Sequence, residues 1–226
     1  ARVQPDFGWT GDITMSARAQ IHSSPKFTLD MEWVRDKGDL IVKDETQSLA
    51  LGLTTARLGL IAQDGVWHFT QALAGDRLGV MGGAITGHTS GTNWLPTTDS
   101  KLEGVLEARV NSLATWGAWV PPGWRLDGSA HASLSLAGRL GAPEITGKLD
   151  GNKLQVRNPL QGIELRDGEL AVSLNGPSAH IERLEARGSA GKVTVTGDAK
   201  FGEAPRLNLA LKAENFAALS RVDRRI

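Results

Sequence analysis

From Leu134 to Phe201 apolar residues fall on alternate positions in short runs: Leu134/Leu136, Ile145/Leu149, Leu154/Val156, Ile163/Leu165, Leu170/Val172/Leu174 and Val193/Val195. Successive side chains of a strand point to opposite faces, so each run makes one oily and one polar face. Asp150-Gly151, Asp167-Gly168 and Asn175-Gly176 stand between the runs and predict tight reversals, because these pairs tolerate positive φ. Glycines at 138, 147, 176 and 197 recur as if closing strand pairs.

The same alternation runs through the rest of the chain. Ile13, Met15, Ala17, Ala19 and Ile21 share a face in a long strand over Phe7 to His22, which Pro25 stops. Phe27, Leu29, Met31 and Trp33 resume it, and Lys37-Gly38 turns the chain into Leu40–Lys43. Leu49/Leu51/Leu53, Leu58 to Ile61, a reversal at Asp64-Gly65, and Trp67/Phe69/Leu73 follow. Leu78 to Thr89 is rich in glycine, which predicts bulges or sharp curvature. After a polar loop from Thr89 to Ser100, Leu102, Leu106, Ala108 and Val110 form another strand. Leu126, Leu134, Leu136 and Leu140 are in phase along Trp124 to Leu140, and Leu207, Leu209 and Leu211 along Arg206 to Lys212.

The period breaks once. Asn111 to Val120 lacks alternation and ends at Pro121-Pro122-Gly123, which predicts a short helix capped by Asn111. A further helical turn is expected over Asn215 to Leu219. The sum is roughly fifteen amphipathic strands around one short Trp-containing helical insertion, an all-β chain. Residues 1–226 read as one elongated β domain, with 1–100 and 101–226 as possible sub-modules. The uncapped ends lead us to expect a piece of a longer protein.

Composition narrows the chemistry. Basic and acidic residues balance at 25 each, which removes the electrostatic case for a nucleic-acid partner. There is no cysteine, so disulfide and thiolate chemistry are excluded, and no run of 18 apolar residues is present to span a bilayer as a helix. The five histidines (His22, His68, His88, His131, His180) are widely spaced, mostly on polar faces, without metal-ligand or catalytic spacing. No Gly-x-Ser-x-Gly or Walker phrase occurs, and Asp64, Asp127, Asp150 and Asp167 each precede a glycine, as turn chemistry requires. Neither an enzyme nor a metal or cofactor site is expected. Trp116, Trp119 and Trp124 surround the Pro-Pro pair and read as a hydrophobic plug closing one edge of a sheet, or as an interfacial element. A transmembrane barrel fits poorly: the chain has no tyrosine, and its tryptophans do not recur at strand ends. Several inward-phase positions are small (Gly104, Gly128, Ala130, Ala132, Gly138, Gly147, Gly197), compatible with tight curvature or with a groove.

From Leu102 onward the order of elements resembles the C-terminal region of the TamB family (translocation and assembly module), within the AsmA-like group. The carrying residues are the turn Pro121-Pro122-Gly123-Trp124-Arg125-Leu126-Asp127-Gly128 with Trp116 and Trp119, then the strand ending Leu134 to Gly138. Next come Leu140-Gly-Ala-Pro143-Glu-Ile-Thr-Gly147-Lys-Leu149 and Gln161-Gly162-Ile163 to Leu170, and finally Arg221-Val222-Asp223-Arg224. The likeness covers about half of the chain. It implies a β-taco, a long sheet curled into a U with an apolar inner face. It also implies the periplasm of a Gram-negative bacterium, with the full-length protein anchored in the inner membrane. The implied partners are phospholipid acyl chains, an Omp85-type outer-membrane protein (TamA) and outer-membrane protein clients. On that reading the groove is lined by Leu134, Leu136, Leu140, Ile145, Leu149, Leu154, Val156, Leu170, Val172, Leu174, Val193, Val195, Leu207, Leu209 and Leu211. A second expectation is a scaffold that accepts client strands at an open sheet edge.

Overall fold

The structure, a computed structural model, describes residues 9–24, 26–43, 48–89, 94–201 and 205–217. Among them are fifteen strands and one 3-10 helix. The strands are β1 (Trp9–Gly11), β2 (Thr14–His22), β3 (Thr28–Lys37), β4 (Leu40–Lys43), β5 (Ser48–Ala50), β6 (Leu53–Gln63), β7 (Val66–Gly75) and β8 (Gly79–His88). After these come β9 (Lys101–Val110), the 3-10 helix Leu113–Trp119, β10 (Arg125–Arg139), β11 (Ala142–Asn158), β12 (Ile163–Asn175), β13 (Ser178–Arg187), β14 (Ala190–Lys200) and β15 (Arg206–Ala217). Twelve of them form one antiparallel sheet in the order β15-β14-β13-β12-β11-β10-β9-β8-β7-β6-β3-β2, and β1, β4 and β5 make a separate small one. The large sheet does not close, since β2 and β15 stand at opposite edges. β8 pairs with β9, so the hydrogen-bonded sheet runs unbroken past residue 100.

The sheet is curled toward its apolar face. A flat single sheet would expose both faces alike, yet burial along β9 alternates strictly: Leu102, Gly104, Leu106, Ala108 and Val110 are half-buried, and the reverse face, which includes Val105, is exposed. The accessible surface is 15290 Å². A compact monomer of 24.1 kDa would expose about 10,000 Å². The molecule therefore keeps a large apolar area half-open instead of folding it into a dry core.

Glycines set the curl. Gly83 and Gly104 face neighbouring strands so closely that a Cβ would lie 2.8 Å from the Val105 carbonyl and 2.6 Å from the Ala84 carbonyl. β8 keeps register with both neighbours, so its glycines serve curvature and make no bulge. Gly147 and Gly197 adopt φ of 141° and 139° in mid-strand, so they do not close strand pairs as the sequence pattern had implied.

Other expectations need correction. Asp150-Gly151 lies inside β11 and Asp167-Gly168 inside β12; neither is a hairpin. The positive φ does occur at Asp167 and at Lys153, both 50°, but it is used for bulges that let two long strands keep pairing. Asn175-Gly176 does turn the chain, with Gly176 at φ 56°. β15 extends to Ala217, so Asn215 to Ala217 is strand and not helix. Pro25 and residues 218–226 lie outside the described residues. The 3-10 helix starts after Ser112, whose extended φ of −143° makes it the N-cap in place of Asn111, and no side chain caps it.

The small sheet is the largest surprise. It splits two predicted strands: the strand expected over Phe7 to His22 divides, in its described residues, into β1 and β2, and Leu49 to Leu53 into β5 and the start of β6. Asp39 holds the crossing. Its carboxylate accepts the N–H groups of Leu40 (2.8 Å), Gly52 (2.9 Å) and Leu53 (2.8 Å), and its own N–H donates to Asp12 Oδ1 at 2.8 Å. Burial works against the charge, but the three N–H donors and nearby Arg35 outweigh it and hold the carboxyl below its usual range. A carboxyl lowered in the fold contributes stability that is complete above its unfolded value of about 4 and fades as pH falls through the folded value. Asp39→Asn is therefore expected to cost on the order of 2 kcal/mol at neutral pH. The deficit should shrink as pH falls below ~4, where the carboxyl of the unfolded wild-type chain takes up its proton first and that of the folded chain follows at lower pH. Urea unfolding and amide exchange at Gly52 and Leu53 measure both.

Candidate functional site

Strand register sorts the side chains into two faces. One row across the large sheet reads Leu207, Ala199, Ala179, Leu174, Gly147, Leu134, Leu106, Gly83, Gln71, Leu58, Trp33, Ala17, each directly opposite the next. Gln71 is its only polar member. The next row reads Leu209, Gly197, Ile181, Val172, Leu149, Ala132, Ala108, Met81, Leu73, Ala56. A third adds Leu211, Val195, Leu184, Leu170, Gly151, Ala130 and Val110. At the usual interstrand spacing, twelve strands carry this apolar strip over about 50 Å. The reverse face of the same strands reads Asn208, Asp198, His180, Ser173, Lys148, Ser133, Glu107.

The sequence-predicted groove residues are brought together by this register. Leu136 sits opposite Ile145, and Val193 opposite Ala213 and Ala186. Leu154, at a bulge, fills space left by Gly128, Gly151 and Gly168, each of which would place a Cβ within 2.9 Å of it. Val156 stays in phase opposite Leu126 and Leu165. Leu140 does not join them, because it sits in the turn after β10 with its N–H on the Ser100 carbonyl at 2.9 Å. Leu207, Leu209 and Leu211 lie on the same face but on the edge strand, where they are 72%, 47% and 69% exposed.

The small inward residues act mainly in curvature. Those at 104, 128, 147 and 197 approach neighbouring backbone too closely to leave pockets. The breadth of the strip comes instead from the sheet staying open.

Both lips of the first half are closed by packing. At one, Val42, Leu51, Leu53, Ala56 and Leu78 form a buried cluster on which Trp116 packs, with Ile13, Leu40 and Leu73 beside it. The 3-10 helix rests on β10 and β4, so the Trp insertion is a plug at a lip. Trp124 is half-buried and donates its N–H to the Pro121 carbonyl at 3.1 Å; the Trp119 side chain lies outside the described residues. At the other lip Phe27 packs between Trp67, 6.0 Å between ring centroids, and Trp94, 4.6 Å. Trp67 Nε1 donates to the Trp94 carbonyl at 2.9 Å. Nothing in the sequence pattern marked this cluster, because its partners come from three separate segments.

All five histidines lie on the polar face. His180 meets Asp198 at 2.8 Å, His131 meets Glu107 at 3.3 Å, and His68 meets Thr86 at 3.0 Å, all exposed cross-strand pairs. Among the described residues no group of His, Asp and Glu is arranged to hold a metal ion. Nor, among the described residues, is any helix long and apolar enough to cross a membrane. The arrangement offers an extended apolar surface with a polar back, and its physical capacity is to shield hydrocarbon. The chain matches no family model, no curated protein and no solved structure.

Proposed function

We propose that this chain is a segment of an envelope lipid conduit, which shields phospholipid acyl chains on its apolar face between the inner and outer membranes of a Gram-negative cell. The observation that carries the reading is the apolar strip of the open sheet, interrupted only by Gln71 in the row that crosses all twelve strands and by no polar residue in the ten-strand row beside it. Each CH₂ removed from water gains ~0.8 kcal/mol, so a 16-carbon chain gains on the order of 10 kcal/mol gross. Head groups stay hydrated at the lips, and a strip without polar barriers lets the lipid slide without leaving. The chemistry asked of the chain is binding; no side chain is assigned a catalytic role. The periplasmic setting and an Omp85-type partner (TamA) follow from the TamB-like phrases and are part of the proposal.

A second reading is favoured by one observation. Every described residue of β2, and of β15 up to Asn215, is exposed, and among the described residues neither strand has a partner on its outer side. Such edges accept a further strand, so the chain is also suited to hold an outer-membrane client or the barrel partner by strand addition.

One two-armed experiment separates them. The purified chain is expected to carry phospholipid, measured by native mass spectrometry, and Leu149→Asp should lower its occupancy by at least tenfold while the circular dichroism stays unchanged. Folded wild-type protein free of lipid would sink the conduit. A photocrosslinker at Ala210 on β15 should reach an Omp85-type barrel or its client if the edge is a scaffold, and neither if it is not.

A further inference from the structure

The polar face has a place where charges collide. Register puts Arg166 directly opposite Arg187, and Arg187 directly opposite Lys192. Directly opposite like charges on one face destabilise a sheet. Elsewhere on this face cations meet carboxylates, as in Arg183 with Glu169 at 2.8 Å and His180 with Asp198 at 2.8 Å. Lys192 has Glu185 at 4.0 Å and Glu214 at 3.9 Å, at the limit of an ion pair. Among the described residues neither the Arg166 nor the Arg187 guanidinium has an ion-pair or hydrogen-bond partner. On the adjoining strands Arg125 stands opposite Arg157 in the same way.

Arg166, Arg187 and Lys192 border a notch of about 450 Å³ at the ends of β12 to β15. Its floor is the turn Gly188-Ser189-Ala190-Gly191, made of small residues. Gly191, at φ 64°, lies against the Glu214 and Asn215 backbone, where a Cβ would collide. Ser189 is committed elsewhere, its N–H and hydroxyl both donating to the Ala217 carbonyl at 2.8 and 2.9 Å. One carboxylate, Glu214, shares the rim, and Lys212 holds it at 2.9 Å.

We propose that this notch is a binding site for a phosphate-type anion. Two guanidinium forks and an ammonium offer more charged donors than the two oxygens of a carboxylate can take, whereas a tetrahedral phosphoryl group presents three oxygens in diverging directions. An anion between Arg166 and Arg187 converts their repulsion into two charge-assisted contacts. The same chemistry is offered by free phosphate and by a phospholipid head group. The head-group source rests on the conduit reading: the apolar strip ends beside the notch at Ala186, Val193 and Ala213, on the opposite face of the same strand ends.

The test compares thermal unfolding in sodium phosphate and in sodium chloride of equal ionic strength, for the wild-type chain and the Arg166→Gln/Arg187→Gln variant. The wild-type midpoint should rise saturably with millimolar phosphate. In chloride the variant should melt no lower than the wild type, because the like charges are gone, and it should lose the phosphate response. Arg187→Lys, which keeps the charge but not the fork, should retain only part of that response. Equal responses in wild type and double variant, or none in the wild type, would overturn the site. A second arm uses soluble short-chain phosphatidylglycerol. Binding at least tenfold tighter than inorganic phosphate, reduced to the phosphate level by Leu149→Asp, identifies the head group as the ligand; equal binding assigns the notch to free phosphate. Lipid carried by the wild type and the double variant alike, with no phosphate response in the wild type, would discard the notch and leave the conduit standing.

Discussion

Gly147→Ala should cost more than about 3 kcal/mol, enough to unfold or misregister the middle of the large sheet, while Gly176→Ala should cost only about 1 kcal/mol. Both positions have positive φ, but 56° lies in the left-handed region that other residues can enter, whereas 141° is open essentially to glycine alone. The neighbourhood differs in the same direction. A Cβ on Gly147 would overlap the Ser133 carbonyl oxygen on β10 and lie 2.9 Å from the Leu134 Cα, whereas one on Gly176 meets nothing within 4 Å. The clash is with backbone of a paired strand, which has no rotamer to relax into. Gly197 repeats the geometry on β14 against Asn208 and Leu209. Urea unfolding followed by circular dichroism gives both costs. Similar values for the two variants would mean that close strand approach is not what the glycine at 147 provides.

This contrast also marks what was legible in the sequence. The alternation of Leu170, Val172 and Leu174, or of Val193 and Val195, carried the strands and the face each side chain takes, because period 2 is local information. Asp150-Gly151 and Asp167-Gly168 misled, since positive φ serves bulges as well as hairpins, and in β11 it falls on Lys153 and not on the Asp-Gly pair. Asn175-Gly176 does make a hairpin although β12 and β13 are likewise paired on both sides, so the dipeptide alone does not decide which of the two forms. Leu140 was in phase by counting, but the hairpin after β10 takes it out of the sheet. The small sheet and its Asp39 crossing were invisible, because a carboxylate serving three N–H groups from Leu40, Gly52 and Leu53 is a tertiary arrangement. The Arg166–Arg187–Lys192 row was hidden for the same reason. It exists only once the register of three strands is known.

Trp116 is packed on the buried cluster of Leu51, Leu53 and Leu78, so it behaves as a plug at a lip. Together with the Phe27–Trp67–Trp94 cluster at the other lip, it covers the first half of the strip. The later strands carry no comparable packing among the described residues. The account therefore places acyl-chain access along β11 to β15, where Leu149, Val172 and Val195 lie.

The most direct test places the same photoreactive side chain at Val172 and, separately, at Ser173. The two positions are neighbours on β12 with similar half-burial, but they face opposite sides: Val172 stands opposite Leu149 and Ile181, Ser173 opposite Lys148 and His180. In cells or with phospholipid vesicles, the account predicts lipid adducts at 172 at least tenfold more abundant than at 173. Equal labelling at both positions, or no lipid at 172 in a folded protein, would contradict an open acyl-binding face.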